Sequence, residues 1–159
     1  MSKAAVNSLL QRARSKAGPS ENVDLESVSP VELRGLVDRF TDTWRSGDSA
    51  AMLELLDESS HLTMPPNEME FSGAKEIVGL LFDEVRFAPF GEVVFREVSA
   101  NGECGIATYT PNNDSTSADR HCIMLFGSAT SKATKITGFT EDRVFEILGL
   151  PETVPVNEH

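Results

Sequence analysis

A chain of 159 residues with 25 acids, 14 Lys and Arg and two cysteines is sized for one domain with its own core and leaves no room for a second. Cys104 and Cys122 exclude a disulfide framework. No basic leader followed by an apolar run opens the chain, and the longest apolar run, Ile123 to Phe126, is strand-sized. A cytoplasmic protein with reduced thiols and no membrane span is therefore expected. Residues 1–17 hold Lys3, Arg12, Arg14 and Lys16 and no acid, so every acid falls on the remainder, and such an acidic body repels nucleic acid and anionic membrane.

In chain order, Ala4 to Lys16 places Val6, Leu9, Leu10 and Ala13 on one helical face, and Gly18-Pro19 ends the run. Residues 18–29 mix Pro, Ser, Asn and acids without periodicity and read as a linker. Ser29-Pro30-Val31-Glu32 is a capping box with proline at the first helical position. Leu33, Leu36, Val37, Phe40 and Trp44 follow at helical spacing up to Gly47. Asp48 caps a second helix to about Leu56, so the two helices form a hairpin. His61 to Met64 is a short strand stopped by Pro65-Pro66. Ser72 opens a third helix to about Val85, striped by Ile77, Leu80, Leu81 and Val85.

Strands follow. Glu92 to Ala100 alternates, Asn101-Gly102 marks a two-residue hairpin, and Glu103 to Thr110 returns antiparallel. After a polar loop at 111–117 come strands at about 119–127 and 134–140, then a short helix from Asp142 to Leu148. The order ααβαββββα predicts an α+β fold with a curved antiparallel sheet wrapped around three helices. The folded body is bounded at 30–153, with 1–17 as a basic helix and 154–159 as a tail. Ile123 and Leu125 interleave with Cys122, Met124 and Phe126; a strand apolar on both sides needs cover on both. A homodimer through the outer sheet face is expected.

Thr41-Asp42-Thr43-Trp44-Arg45-Ser46-Gly47-Asp48, Leu62-Thr63-Met64-Pro65-Pro66, Ala100-Asn101-Gly102, Lys135-Ile136-Thr137-Gly138-Phe139 and Leu148-Gly149-Leu150-Pro151 together resemble the SnoaL-like branch of the nuclear-transport-factor-2-like (NTF2-like) superfamily. The resemblance is closest to the accessory domain at the C-terminus of extracytoplasmic-function (ECF) RNA polymerase sigma factors. Ala4 to Arg14 is similar to the recognition helix of sigma region four. Its partner helix is missing, and one helix alone is not held in a groove at a fixed angle, so no specific DNA binding by this chain is expected.

The resemblance implies an NTF2-like cone with an internal pocket, and matching the motifs points Trp44, His61, Thr63, Leu81, Val85, Thr108, Thr110, Cys122 and Met124 toward it. A one-residue slip would invert any strand's assignment. His61 is the candidate for proton transfer, or else a structural histidine. His121 points away in this register, and Asp119, Arg120 and His121 read as a solvated strand end. The acid-arginine-acid set of related epoxide hydrolases is replaced by Thr108, Thr110 and Gly138. Met64 stands where related isomerases and cyclases carry a base, which leaves Glu141 or Asp142 as a base or as helix caps. No metal-ligand spacing and no phosphate loop is present, so no metal and no cofactor is expected. Two functions stay open: a sensory or regulatory module binding a small apolar molecule and acting on transcription, or a free-standing cyclase, isomerase or epoxide hydrolase using the same pocket.

Overall fold

The computed structural model describes residues 29–85, 93–113, 116–128 and 131–156, with the backbone alone at 83–85. The expected basic helix at 1–17 and most of the expected linker lie outside the described residues. Helix α1, Pro30–Ser46, opens on the full capping box: the Glu32 N–H donates to the Ser29 hydroxyl at 3.3 Å, and the Glu32 carboxylate accepts from the Ser29 N–H at 3.0 Å. Its buried stripe is Leu33, Leu36, Val37, Phe40 and Trp44, the residues at helical spacing. Gly47 closes it, and Asp48 caps helix α2, Ser49–Leu55, by accepting the Ala51 N–H at 2.9 Å.

Strand β1, Leu56–Thr63, starts earlier than its apolar residues announce. Its first half, Asp57-Glu58-Ser59, is polar because it faces outward, while the Ser60 hydroxyl is buried and donates to the Ala133 carbonyl at 2.7 Å. The chain turns at Pro65-Pro66 and returns as a short strand β2, Glu70–Ser72, antiparallel to β1. Helix α3, Ala74–Gly79, continues as a π-helical turn through Leu80–Val85. Ser72 is not its side-chain cap: Gly73 holds that position, and the Ser72 N–H donates to the Glu76 carboxylate at 2.7 Å.

Strands β3 (Val94–Ala100), β4 (Glu103–Pro111), β5 (Ser117–Gly127) and β6 (Ala133–Phe139) form the meander. Asn101 and Gly102 both have positive φ, the geometry a two-residue turn between right-twisting strands requires. Helix α4, Asp142–Ile147, and strand β7, Thr153–Pro155, complete the chain. The sheet order is β2-β1-β6-β5-β4-β3, with β7 on the first residues of β5. The sheet is mixed rather than wholly antiparallel, because β1 lies parallel to β6. Among the described residues no helix is long and apolar enough to cross a membrane.

Two apolar clusters flank this sheet. The concave one joins α1, α2 and α3 to Leu62, Ile106, Cys122, Met124, Phe126 and Ile136. The convex one joins Val94, Ala107, Tyr109, Ala118, Ile123 and Leu125 to Phe145 of α4 and Val154 of β7. Of the expected tail, residues 154–155 belong to β7, where Val154 is buried and pairs with Ala118. The apolar outer face of β5, from which a dimer was expected, packs in one cluster with Phe145 of α4 and Val154 of β7. The Leu148-Gly149-Leu150-Pro151 motif makes this possible: the Leu150 N–H returns to the Phe145 carbonyl, and the Pro151 carbonyl accepts from the Tyr109 hydroxyl at 3.1 Å.

Candidate ligand pocket

A cavity of about 180 Å³ opens on the concave side, lined by Trp44 of α1, Leu62 of β1, Met64 and Met69 of the following loop, Leu80 and Leu81 of the π-helical turn, His121, Cys122 and Met124 of β5, Gly138 of β6, and Thr140. Each element contributes for a local reason. Trp44 is 5% exposed and fixed edge-on between Phe40 and Phe95, at 5.9 and 5.7 Å between ring centroids. The Met64 N–H donates to the Met69 carbonyl at 3.1 Å, which folds the loop after β1 over the mouth. Gly138 leaves the space itself: a β-carbon there stands 3.4 Å from Met64 Cγ and 3.7 Å from Cys122 Sγ.

Of the residues expected in the pocket, Trp44, Leu81, Cys122 and Met124 line it. His61 and Thr63 do not. On β1 the inward set is Leu62 and Met64, one residue out of step with the expected register, so the His61 side chain lies 55% exposed on the other face. Its Nδ1 is 3.1 Å from Ser72 Oγ and 3.6 Å from Glu70 Oε1, a surface cluster across the β1–β2 pair. Thr108 is fully buried beside the cavity and spends its hydroxyl on the backbone, donating to the Cys122 carbonyl at 2.9 Å and accepting the Cys122 N–H at 3.2 Å. Thr110 stands beyond the lining, and the Val85 side chain lies outside the described residues. Glu141 and Asp142 are exposed at the start of α4, and neither borders the cavity.

His121 was expected to point away, and a β-bulge turns it inward. Thr108 pairs with Cys122 and Tyr109 with Arg120, so β5 has one residue more than β4 at this point. Ala118 is accordingly in the convex cluster while Cys122 and Met124 are in the concave one, although all are even-numbered. His121 and Cys122 both reach the pocket as a result. The sequence signal was the mixed stretch Ala118-Asp119-Arg120-His121, where strict alternation fails. Arg120 is likewise not a solvated strand end. It donates to the Pro151 carbonyl at 3.0 Å and the Leu150 carbonyl at 2.6 Å, and stands over the Phe145 ring at 5.4 Å, clamping the C-terminal segment to the convex face.

His121 and Cys122 are the titratable groups among the described lining residues. Burial lowers the His121 pKa, so its imidazole is neutral at pH 7. Burial pushes the Cys122 thiol up to about 11, against a smaller opposing effect from the Phe139 backbone N–H. A thiol in that state is a small hydrophobe rather than a nucleophile. No group of three or more metal-ligating side chains occurs among the described residues.

A second hollow, about 450 Å³ and polar, lies between α1 and β3, lined in part by Asp38, Asp42, Arg45, Phe95 and Glu97. Arg45 stands 5.0 Å from the Phe95 ring centre, and Arg34 pairs with Glu97 close by. Its charges are exposed and of both signs, so it resembles ordinary surface more than a built site.

A curved, unclosed mixed sheet with α1, α2 and α3 packed on its concave side, around a small apolar cavity, is the NTF2-like fold. Solved structures agree. An NTF2-like protein from Mesorhizobium loti superposes with a TM-score of 0.56 over 69% of this chain and 91% of that one, at 18% identity. A SnoaL-like protein from Burkholderia thailandensis gives 0.54 over 73% and 99%, at 10% identity. By sequence the chain is similar to the ECF RNA polymerase sigma factor SigG of Mycobacterium tuberculosis, 27% identical over 156 residues. That match covers 94% of this chain, more than residues 29–159 alone would supply, and 41% of the sigma factor. The chain thus spans about two-fifths of the relative's length. No family model matches the chain.

Proposed function

We propose that the concave pocket binds a small apolar molecule and that the domain is a sensory or regulatory module of sigma-factor type, through which ligand occupancy modulates transcription. One observation carries the binding half: a partly open cavity of about 180 Å³ whose described lining is hydrocarbon, thioether and thiol, apart from His121 and Thr140. The regulatory half is supported by the similarity to SigG, which extends beyond the folded cone into the basic segment ahead of it.

The chemistries brought by the family resemblance need a carboxylate at the reacting atoms, to draw a proton from beside a carbonyl or to activate water on an epoxide. Among the described residues no carboxylate lines this cavity. A single neutral imidazole does, and His121 is the observation that favours the second reading, a cofactor-free cyclase, isomerase or hydrolase. Native mass spectrometry of the purified chain tests the first reading. A retained non-covalent adduct, lost in Gly138→Val, supports it; an adduct that the variant keeps, or none after exposure to a library of small apolar molecules, overturns it. Turnover of a bound compound would move the assignment to the enzyme.

A further inference from the structure

We propose that the concave pocket selects its occupant by apolar volume rather than by outline: it is a broad-specificity site for compact, hydrocarbon-like molecules of one or two rings, and Met64 and Met69 are the residues that give it this tolerance. The inference rests on the pocket reading above and goes further, to how the ligand is chosen.

The described lining is uneven in stiffness. Trp44 is 5% exposed and packed edge-on against Phe40 and Phe95, so its ring is a fixed part of the wall. Thioethers make up much of the rest. Three of the chain's five methionines, Met64, Met69 and Met124, line this one cavity, and an unbranched side chain with three rotatable bonds fills gaps of differing form. Two of the three have freedom to do so. Met64 is half-buried and Met69 is 46% exposed, both in the loop after β1, whereas Met124 is 3% exposed within the concave core. Room for movement lies over Gly138, where Met64 Cγ and Cε stand 3.4 and 3.8 Å from the place a β-carbon would take. A ligand entering there shifts a flexible chain instead of straining a packed core, which is how methionine-rich surfaces accept partners of several shapes. Volume sets the size: a cavity of roughly 150 Å³ accepts benzene, and this one, at about 180 Å³ with an open mouth, takes one or two rings.

Naphthalene and cyclooctane, hydrocarbons of similar volume of which one is flat and the other puckered, test volume against outline, with calorimetry giving both dissociation constants. The wild-type chain should bind both. In the double variant Met64→Ile/Met69→Ile, side chains stiff at the β-carbon replace the thioethers. The ratio of the two dissociation constants should then shift roughly tenfold or more, since a stiff wall fits one outline and clashes with the other. Met69→Ile alone, at an exposed position, should shift the ratio in the same direction by less, and it decides the matter where the double variant does not fold. A ratio that stays within about twofold of wild type in the deciding variant would overturn the proposal, as would a wild-type chain that binds one probe and not the other. Gly138→Val is the separate control for the pocket, because it subtracts volume that no change of outline restores. If neither probe binds the wild-type chain, or if both bind Gly138→Val as before, the pocket reading itself fails.

Discussion

The two faces of the sheet are both apolar, yet they close differently. On the convex side Phe145, Ile123, Tyr109 and Ala107 are fully buried, α4 packs on the strands and β7 pairs along the edge of β5, with Arg120 and the Tyr109 hydroxyl tying down the chain between them. On the concave side α1, α2 and α3 also pack on the sheet, but Gly138, the one-residue bulge and the π-helical turn hold a space open. Close packing on one face gives the rigidity that an unfilled space on the other needs, because a cavity is tolerated only where surrounding elements cannot collapse into it. The comparison predicts that mutations on the convex face cost stability and leave binding alone, and that mutations around the cavity do the reverse.

The largest effect is expected at Phe145. Its ring is fully buried and edge-on to Tyr109 at 5.9 Å, so Phe145→Ala should cost about 3–5 kcal/mol, a fall in Tm on the order of 10 °C for a domain of this size. Denaturant titration measures it. Affinity for naphthalene, an apolar probe of the pocket, should not change per folded molecule; a parallel loss of affinity would mean that the faces are not independent.

Gly138→Val comes next and has the opposite signature. The atoms nearest its β-carbon are those of the flexible Met64 chain and the Cys122 sulfur, at 3.4 Å or more, and the two methyl groups occupy the space a ligand needs. Stability should stay within about 1.5 kcal/mol, while probe binding by fluorescence titration drops below detection. Retained binding would place the ligand elsewhere.

A smaller effect lies in pH. The His121 pKa is lowered from 6.5 by burial, so the unfolded chain takes up the proton first as pH falls. The stability from the neutral buried ring is complete above about 6.5 and is lost as pH drops through the folded value. The wild-type unfolding midpoint should therefore fall between pH 7.5 and 5, and His121→Phe should remove that share of the decline. Identical pH profiles would show the ring to be solvated.

How much of this the sequence carried depends on how local each signal is. Ser29 to Glu32, Gly47, Asp48 and Asn101-Gly102 act through bonds a few residues long, and each stands where its chemistry predicts. Strands β2 and β7 were not legible: each has three residues and exists because β1 or β5 offers an unpaired edge. The site divided in the same way. Trp44 and Leu81 follow from helical spacing, whereas His61, Thr63 and His121 were assigned to the wrong face. A strand's phase is one bit, and a bulge reverses it without leaving a mark in composition.

The smallest expected effect is the sharpest check on that phase. His61→Ala removes a solvent-facing ring, its contact with Ser72 and its pairing with Glu70. Exposed pairs of this kind are worth about 0–1 kcal/mol, so stability should change by about 0.5 kcal/mol or less. Affinity for naphthalene should stay within about twofold, because Leu62 and Met64, not His61, face the cavity. A marked loss of naphthalene binding in this variant would shift β1 by one residue and return His61 to the pocket. The alternation along β1 argues otherwise: Leu62 is 2% exposed and sits in the concave cluster with Ile136, its partner on β6. Shifting the strand by one would carry Leu62 into solvent and bring an imidazole into that cluster, exchanging a buried hydrocarbon for a group that needs a hydrogen-bond partner.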